Sequence, residues 1–178
     1  NIYSVSRDSA AAIESEQNRL RERGLSVYTT VDKWSESIDV LLQTLAFTPS
    51  LRRLNPTESN LIFERLSVLF PKRSWRLWSR SGDLIANTAT PTRLPRANAT
   101  SRPHFHQALK GHAAYGIYDK CLSGNACYVS STPVYAPDSK LSPSGSTKPI
   151  GVLSMSVDLK NTAEDSGLTK IVNLTRGD

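Results

Sequence analysis

The chain has 178 residues, of which 38% are hydrophobic and 21% are charged, and it carries a formal net charge of +6 at pH 7. This length fits one domain, or one domain with an appended helix, and the composition excludes an intrinsically disordered chain. No stretch reaches the roughly 20 apolar residues of a membrane-spanning helix. We therefore expect any membrane anchor of the parent protein to lie outside this chain.

The positive charge is concentrated in one segment. Residues 72–102 hold seven Lys or Arg residues and a single acidic residue, Asp83, whereas the flanking segments are nearly balanced. Such a basic band attracts nucleic acid, an anionic surface or an anionic small molecule, or is simply a solvated face. No known nucleic-acid-binding motif surrounds it, so we expect no nucleic-acid partner.

The first part of the chain predicts a long helix over about 8–46, ended by Pro49. Its apolar positions alternate spacings of four and three, which places them on one helical face that packs on a core. These positions are Val27, Val31, Trp34, Ile38, Leu41 and Leu45. Ile13 and Leu20 continue the phase backward, but Gln17 and Gly24 interrupt it. We predict that this polar first half is solvated and pairs with its copy in a homodimer.

A second helix has clear start signals. Asn55 is a good N-cap, Pro56 suits the first helical position, and Glu58 stands three residues after the cap. Pro71 ends the helix. The apolar stripe is predicted to be Leu61, Ile62, Leu66, Leu69 and Phe70.

The period then changes to that of strands. We predict strands at 75–80, 84–86, 113–121, 127–135 and 150–159, with a long loop at 88–103 and a short helix at 105–110. Long ordered loops are often functional. The order of elements predicts an α+β fold whose strands form an antiparallel meander of about five strands with helices packed on it.

Two cysteines, Cys121 and Cys127, flank the turn-forming sequence Leu-Ser-Gly-Asn-Ala. In a hairpin they can close a disulfide, which would persist only in an oxidising compartment. Free thiols are the alternative.

Four segments, in this order, resemble Cache domains, which are extracellular PAS-like sensor modules. They are Trp75-Arg-Leu-Trp-Ser-Arg-Ser-Gly-Asp-Leu-Ile-Ala, Arg102-Pro-His-Phe-His-Gln-Ala-Leu-Lys-Gly111, Ser130-Ser-Thr-Pro-Val-Tyr135 and Gly151-Val-Leu-Ser-Met-Ser-Val-Asp-Leu159. The resemblance covers about 75–160, and the long preceding helix is also typical of the family.

The resemblance implies an extracytoplasmic ligand-sensing domain of a bacterial histidine kinase, chemoreceptor or cyclase. Residues 1–54 would be the long helix and its connector, 55–160 the sensor module, and 161–178 a linker or helix towards a second module or the membrane. The last segment resembles the helix that enters the second module of double Cache proteins, so the chain would be the membrane-distal module. A single-module sensor is the alternative.

The resemblance also implies a pocket between the sheet and the loop-plus-helix insertion. The predicted ligand contacts are Arg102, His104, Phe105, Tyr118, Asp119 and Asp158. Arg102 would hold a carboxylate and Asp158 an amine, while His104 would be a protonatable donor at mildly acidic pH. His104 and Phe105 replace the Trp and Tyr of amino-acid-sensing members. Alternation along the strand turns Tyr115 and Tyr118 to opposite faces, and we expect Tyr118 to face the pocket.

Each of these residues has a plainer interpretation. Arg102 would be a surface charge or part of an internal ion pair, Phe105 a core residue, and Asp158 the cap of a following helix. His104, His106 and His112, with the two cysteines, suggest a metal site, but Pro103 and the predicted helix disfavour the His-x-His strand geometry that a metal needs. We predict no metal and no cofactor.

No catalytic motif is present: there is no Gly-x-Ser-x-Gly elbow, phosphate loop or His-Glu-x-x-His helix. We therefore predict a sensor without enzymatic activity, which binds a small anionic or zwitterionic ligand. A ligandless module for protein interaction or dimerisation is the alternative, with the basic band as its docking face.

Overall fold

The computed structural model describes residues 2–88, 98–118, 121, 124–138 and 148–159. The elements are α1 (Ile2–Ala46), α2 (Pro49–Arg52), α3 (Pro56–Leu69), β1 (Arg73–Ser79), β2 (Leu84–Asn87), α4 (Pro103–Leu109), β3 (Ala114–Tyr118), β4 (Cys127–Val134) and β5 (Gly151–Asp158). The predicted α+β fold, with a long first helix and a five-stranded antiparallel sheet, is confirmed.

The C-terminal half of α1 packs on the sheet through the predicted face. Trp34 and Ile38 are buried, and Leu42, which was not predicted, is also fully buried. Leu41 and Leu45 are partly buried at the edge of this cluster. The side chains of Val27 and Val31 lie outside the described part of the chain. The described side chains of the first half, from residue 12 to 26, are almost all exposed, as expected for a solvated helix.

Helix α3 begins as predicted but buries a different stripe. The Asn55 side chain accepts a hydrogen bond from the Glu58 backbone N–H at 3.1 Å, which caps the helix. The buried residues are Ser59, Phe63 and Leu66, whereas Leu61 and Leu69 are 54% and 69% exposed. The predicted inclusion of Leu61 and Leu69 is wrong. Apolar residues occur all round this helix, so periodicity alone did not fix its orientation.

The strands do not form a meander. Their order across the sheet is β2-β1-β5-β4-β3, so the last strand lies in the centre, antiparallel to both β1 and β4. The predicted meander is wrong because the segment containing α4 crosses one face of the sheet. That crossing delivers β3 to the far edge instead of placing it beside β2. All residues of β5 except Asp158 are buried.

The alternation of side chains gives the sheet two different faces. The first face carries Trp75 and Leu77 of β1 with Leu153 and Met155 of β5, and it forms the main core with α1 and α3. The second face lies under α4 and is far more polar. On β1 and β5 it presents Ser74, Arg76, Trp78, Val152, Ser154 and Ser156. Polar side chains on a covered face mark the part of the fold where a site is expected.

Gly151, at the start of β5, provides a test of this packing. A Cβ at this position would overlap the Trp78 carbonyl oxygen and would lie 3.0 Å from the Leu54 side chain. We expect Gly151→Ala to lower the free energy of unfolding by about 1–3 kcal/mol, measured by chemical denaturation, because overpacking forces the two strands apart.

Gly24→Ala is the matched control. Nothing lies within 4 Å of a Cβ added at Gly24 in α1, and alanine is the better helix former. This variant is expected to be neutral or slightly stabilising. Equal losses of stability in the two variants would contradict the central placement of β5.

Candidate ligand-binding site

Arg76 projects from the middle of β1 onto the polar face. Its Nη1 donates a hydrogen bond to Ser156 Oγ on β5 at 2.8 Å, whereas its Nε is buried without a hydrogen-bond partner. Burial, and secondarily the positive charge of Arg102, lower the pKa of Arg76 to about 10. The guanidinium therefore stays charged near neutral pH and is only partly satisfied by the protein.

Arg102 and His104 come to the same region from α4. Arg102 is the N-cap residue of this helix and Pro103 fills the first helical position, so the helix start fixes the backbone of both residues. Arg102 is partly buried, and the structure thus gives it neither a fully exposed position nor an ion pair with any described residue.

His104 is buried against Tyr118. The side chain is 5% exposed, its ring meets the Tyr118 ring edge-on with centroids 5.0 Å apart, and its Nδ1 has no hydrogen-bond partner. Burial, followed by the charges of Arg102 and Arg76, lowers the pKa of His104 to about 4. A neutral imidazole is therefore favoured at mildly acidic pH, and the role of His104 as a protonatable donor to a ligand stays a prediction.

The two tyrosines of β3 face opposite sides of the sheet, as predicted. Tyr118 turns towards His104, and Tyr115 stacks on Tyr128 of the opposite face with centroids 6.3 Å apart. Tyr115 is 65% exposed. The structure thus brings Tyr118, but not Tyr115, next to the polar face.

Phe105 lies in a small apolar cluster beneath α4. It is 1% exposed and packs with Trp78, Ala99, Ala108 and Val152. This cluster anchors α4 on the sheet and so sets the height of Arg102 and His104 above it. A direct contact of Phe105 with a ligand stays a prediction.

The predicted disulfide between Cys121 and Cys127 is confirmed. It closes the β3–β4 hairpin, in which the Asn125 side-chain amide donates a hydrogen bond to Asp158 Oδ2 at 2.7 Å. Asp158 is also the cross-strand partner of Cys127. The hairpin therefore holds the Asp158 carboxylate in place. The other predicted acidic contact, Asp119, lies outside the described residues.

A cavity of ≈ 320 Å³ opens at this end of the polar face. Its described wall consists of Pro71, Lys72, Ser74, Arg76, Cys121, Cys127, Ser156 and Asp158. The volume is sufficient for a small ligand. Arg76 and Asp158 share this cavity, whereas Arg102 and His104 are not among the residues of its described wall. The charge of Arg102 lowers the pKa of Arg76, and both arginines lower the pKa of His104.

A second cavity of ≈ 270 Å³ lies between α1, α2 and β4, beside Phe47 and Tyr135. Its charged group is Arg52, which already donates hydrogen bonds to the backbone oxygens of Tyr135, Ala136 and Pro137. Because the Arg52 guanidinium already donates to three backbone oxygens, it is less available to a ligand than Arg76. The cavity on the polar face is therefore the better candidate site.

Sequence reasoning missed Arg76, Ser154 and Ser156 as site residues. In the sequence, Arg76 is a charged residue between the apolar residues Trp75 and Leu77 of a predicted strand. This pattern predicted a strand that presents side chains on both faces of the sheet, but not a site at Arg76. The two serines alternate with apolar residues within β5, which the structure buries on both faces. Polar residues within a strand that is otherwise apolar were the signal in the sequence that could have indicated these site residues.

Comparison with known proteins identifies the class of this fold. No family model and no curated protein sequence matches the chain. Among solved structures, the Vibrio cholerae histidine kinase DctB sensor domain has 18% identity and a TM-score of 0.63, over 90% of this chain and 59% of that one. The Escherichia coli DcuS sensor domain has 17% identity and a TM-score of 0.58, over 82% of this chain and 98% of that one.

A chemoreceptor domain is similar to the chain to about the same degree. The ligand-binding domain of the Pseudomonas aeruginosa amino acid chemoreceptor PctB, in complex with L-Arg, has 20% identity and a TM-score of 0.59. The match covers 88% of this chain and 59% of that one. The chain thus spans about three-fifths of the length of the DctB and PctB domains and nearly all of the DcuS sensor domain.

These likenesses show that the chain shares its fold with these sensor and ligand-binding domains, which is the kind of fold that its sequence motifs predicted. The matched structures are sensor and ligand-binding domains of signalling receptors. Among the described helices, none combines the length and the apolar character needed to cross a membrane.

Acidification is expected to destabilise the unliganded protein through His104. The pKa of this ring is about 4 when folded, below the ordinary 6.5, so between these two values the unfolded chain binds a proton that the folded chain does not. The contribution is fully present above pH 6.5 and is lost as the pH falls towards 4. Denaturation at pH 7 and pH 5 should show roughly 2 kcal/mol of this loss, which in total is on the order of 3 kcal/mol.

Two variants isolate this contribution. His104→Gln should flatten the stability profile between pH 7 and pH 5, since it removes the titrating ring. Exposed His112 provides the control, and His112→Gln should retain the wild-type slope. An unchanged slope in His104→Gln would show that the buried imidazole does not titrate as described.

Proposed function

We propose that the chain is the extracytoplasmic ligand-sensing domain of a bacterial transmembrane receptor, either a histidine kinase, a chemoreceptor or a cyclase. Its ligand is a small carboxylate, amino acid or amine, bound between the sheet and the insertion that contains α4. The observation that carries this proposal is the covered polar face, with its cavity and its partly satisfied cation at Arg76. Buried polar atoms without a protein partner beneath α4 are groups that a bound ligand could satisfy.

The proposed contacts combine Arg102, His104, Tyr118 and Asp158 with the cavity at Arg76. Arg102 binds a carboxylate through a charge-assisted, two-pronged contact, because its planar guanidinium matches the two oxygens. Asp158, which Asn125 holds in place, faces an amine if the ligand has one. Several fold neighbours support small ligands of this kind, since they are described in complex with L-alanine and L-Arg.

The signal is proposed to pass through α1. This helix is joined to β4 by hydrogen bonds between Ser130 Oγ and Asp39 Oδ1 at 2.7 Å and between the hydroxyls of Ser35 and Tyr128 at 2.8 Å. A ligand that binds two arrangements of the sheet with different affinity would thereby shift α1. The parent protein is anchored in the membrane outside this chain, and the chain serves as the membrane-distal module of a double Cache receptor. The coverage of DcuS equally supports a single module.

We also propose a homodimer through α1. Ile13 and Leu20 are 60% and 57% exposed, and they lie seven residues apart, which places them on one line along the helix. Leu25 and Tyr28 are also exposed, but the helical period places them away from this line. An exposed apolar line on a solvated helix is typical of a helix-pairing surface.

Sedimentation analysis tests the dimer. Leu20→Lys is expected to weaken self-association by roughly tenfold or more, because it places like charges opposite each other across the helix pair. Asn18→Lys adds the same charge to another side of α1 and should have little effect. A wild-type protein that stays monomeric at high concentration would exclude this interface.

Thermal-shift screening tests ligand binding. Wild-type protein with amino acids, carboxylates and amines should show stabilisation by at least one class, by about 3 kcal/mol at a hundredfold excess over Kd. Arg102→Ala should abolish that stabilisation, whereas Arg65→Ala, at an exposed position of α3, should retain it.

Two outcomes would contradict this assignment. Full ligand affinity in Arg102→Ala would remove Arg102 from the site. The absence of any stabilising ligand, together with salt-sensitive association with a partner or an anionic surface, would favour the ligandless interaction module instead.

A further inference from the structure

We propose that β3 is a second self-association surface, at which two copies of the chain pair edge to edge through antiparallel β3 strands. This interface is separate from the ligand site and from the helix pairing through α1. Three features of this edge of the sheet support it: its lack of protecting residues, its exposed apolar side chains, and a register in which the strand complements itself.

The outer side of β3 is an open sheet edge. Within the described part of the chain, β4 is the single neighbour of β3, and the two strands pair in a regular register without a bulge. The strand sequence, Ala-Tyr-Gly-Ile-Tyr, contains no charged residue and no proline. Edge strands present unpaired backbone N–H and C=O groups, and soluble proteins usually protect them with charges, proline or bulges. None of these three protections occurs in β3.

The opposite edge of the sheet, at β2, is different. It has four residues, and at its end the Asn87 backbone N–H donates to Asn60 Oδ1 of α3 at 3.1 Å. Just before the strand, Asp83 forms a β-bridge with Asn98. Neighbouring segments therefore cover β2 near both of its ends, and β3 is the edge that can accept a further strand.

Two large apolar side chains of β3 are exposed on the α1 side of the sheet. Tyr115 is 65% exposed and Ile117 is 71% exposed. Tyr115 stacks on Tyr128 with ring centroids 6.3 Å apart, and Tyr128 meets Trp34 of α1 edge-on with centroids 4.8 Å apart. Because Trp34 and Tyr128 are buried, this row of aromatic rings begins in the core and ends at the open edge. A further strand would cover the exposed end of the row.

Antiparallel pairing centred on Gly116 makes β3 complementary to itself. In this register Gly116 faces Gly116 of the second copy, Tyr115 faces Ile117, and Ala114 faces Tyr118, so all five residues of the strand are paired. The contact between Tyr115 and Ile117 then occurs twice, once on each side of the twofold axis. Aromatic and β-branched residues form favourable cross-strand pairs, and the strand has no charge that its copy would repel. These features favour a second copy of this chain as the occupant of the edge.

Sedimentation equilibrium at high protein concentration tests the interface in the Leu20→Lys background, which weakens pairing through α1. This variant is expected to retain self-association. Adding Ile117→Lys should weaken that association by roughly tenfold or more, because the twofold axis removes both contacts between Tyr115 and Ile117 at once.

Val68→Lys in the same background is the matched control. Val68 is an apolar residue of α3 that is 81% exposed, so the same charge is added at an equally exposed position away from the sheet edge. This control should leave self-association unchanged. Because both substituted side chains are exposed, the melting temperatures of the variants should match that of the parent.

A mixing experiment tests the register. Tyr115→Glu and Ile117→Lys, each in the Leu20→Lys background, should associate only weakly when measured alone. An equimolar mixture should associate at least roughly threefold more tightly than either variant, because the introduced carboxylate of one chain then faces the introduced ammonium group of the other. A register centred on residue 115 or 117 does not bring these two positions together and predicts no gain.

Association that Ile117→Lys weakens and Val68→Lys does not, with a gain in the mixture, supports the proposal. A Leu20→Lys variant that is monomeric at high concentration would overturn the β3 interface and leave the α1 dimer in place. The interface is also wrong if Ile117→Lys has no effect or has the same effect as Val68→Lys. If Ile117→Lys acts as expected but the mixture shows no gain, the register centred on Gly116 is wrong. The sensor function does not depend on these outcomes, because it is tested by ligand stabilisation.

Discussion

The central position of β5, paired with β1 on one side and β4 on the other, is the constraint on which the rest of the structure depends. A strand in this position is covered on both faces and uses its backbone hydrogen bonds on both edges. Its side chains must therefore either join the core or face the interior of a site. β5 does both, because Leu153, Met155 and Val157 enter the main core while Ser154 and Ser156 face the opposite side.

This division lets one sheet serve two purposes. The apolar face holds α1 and α3 and provides the stability of the domain. The polar face is attached to α4 through the small cluster around Phe105, Trp78 and Val152. Because this cluster anchors α4, it also fixes the position of Arg102 and His104, at the start of the helix, relative to the sheet. The candidate site thus lies on regular secondary structure, and the disulfide-closed hairpin holds Asp158 at its acidic end.

The charges of the site follow from the same arrangement. Covering Arg76 and His104 removes water that would stabilise their charged forms. Burial accordingly lowers the pKa of both groups, and the neighbouring Arg102 lowers them further. The apolar face contributes most of the burial in the domain, whereas the polar face carries the buried Nε of Arg76 and Nδ1 of His104 without hydrogen-bond partners. A ligand that bound to these unpartnered polar atoms would change the interactions of Arg76 and His104 within the fold. Binding and structural change would then involve the same side chains.

The sequence by itself determined the local features. Periodicity located the long helix and the strands, the Asn55 cap and Pro56 fixed the start of α3, the cysteine spacing predicted the disulfide, and the order of four motifs predicted the fold. These signals depend on neighbours within a few residues, so they are visible in one dimension. Tertiary structure alone decided that β5 lies between β1 and β4, which side of α3 is buried, and that Arg76 and His104 are buried on the polar face. Strand partners, helix orientation and burial depend on residues far apart in the chain, and the pKa values that follow from burial do so as well.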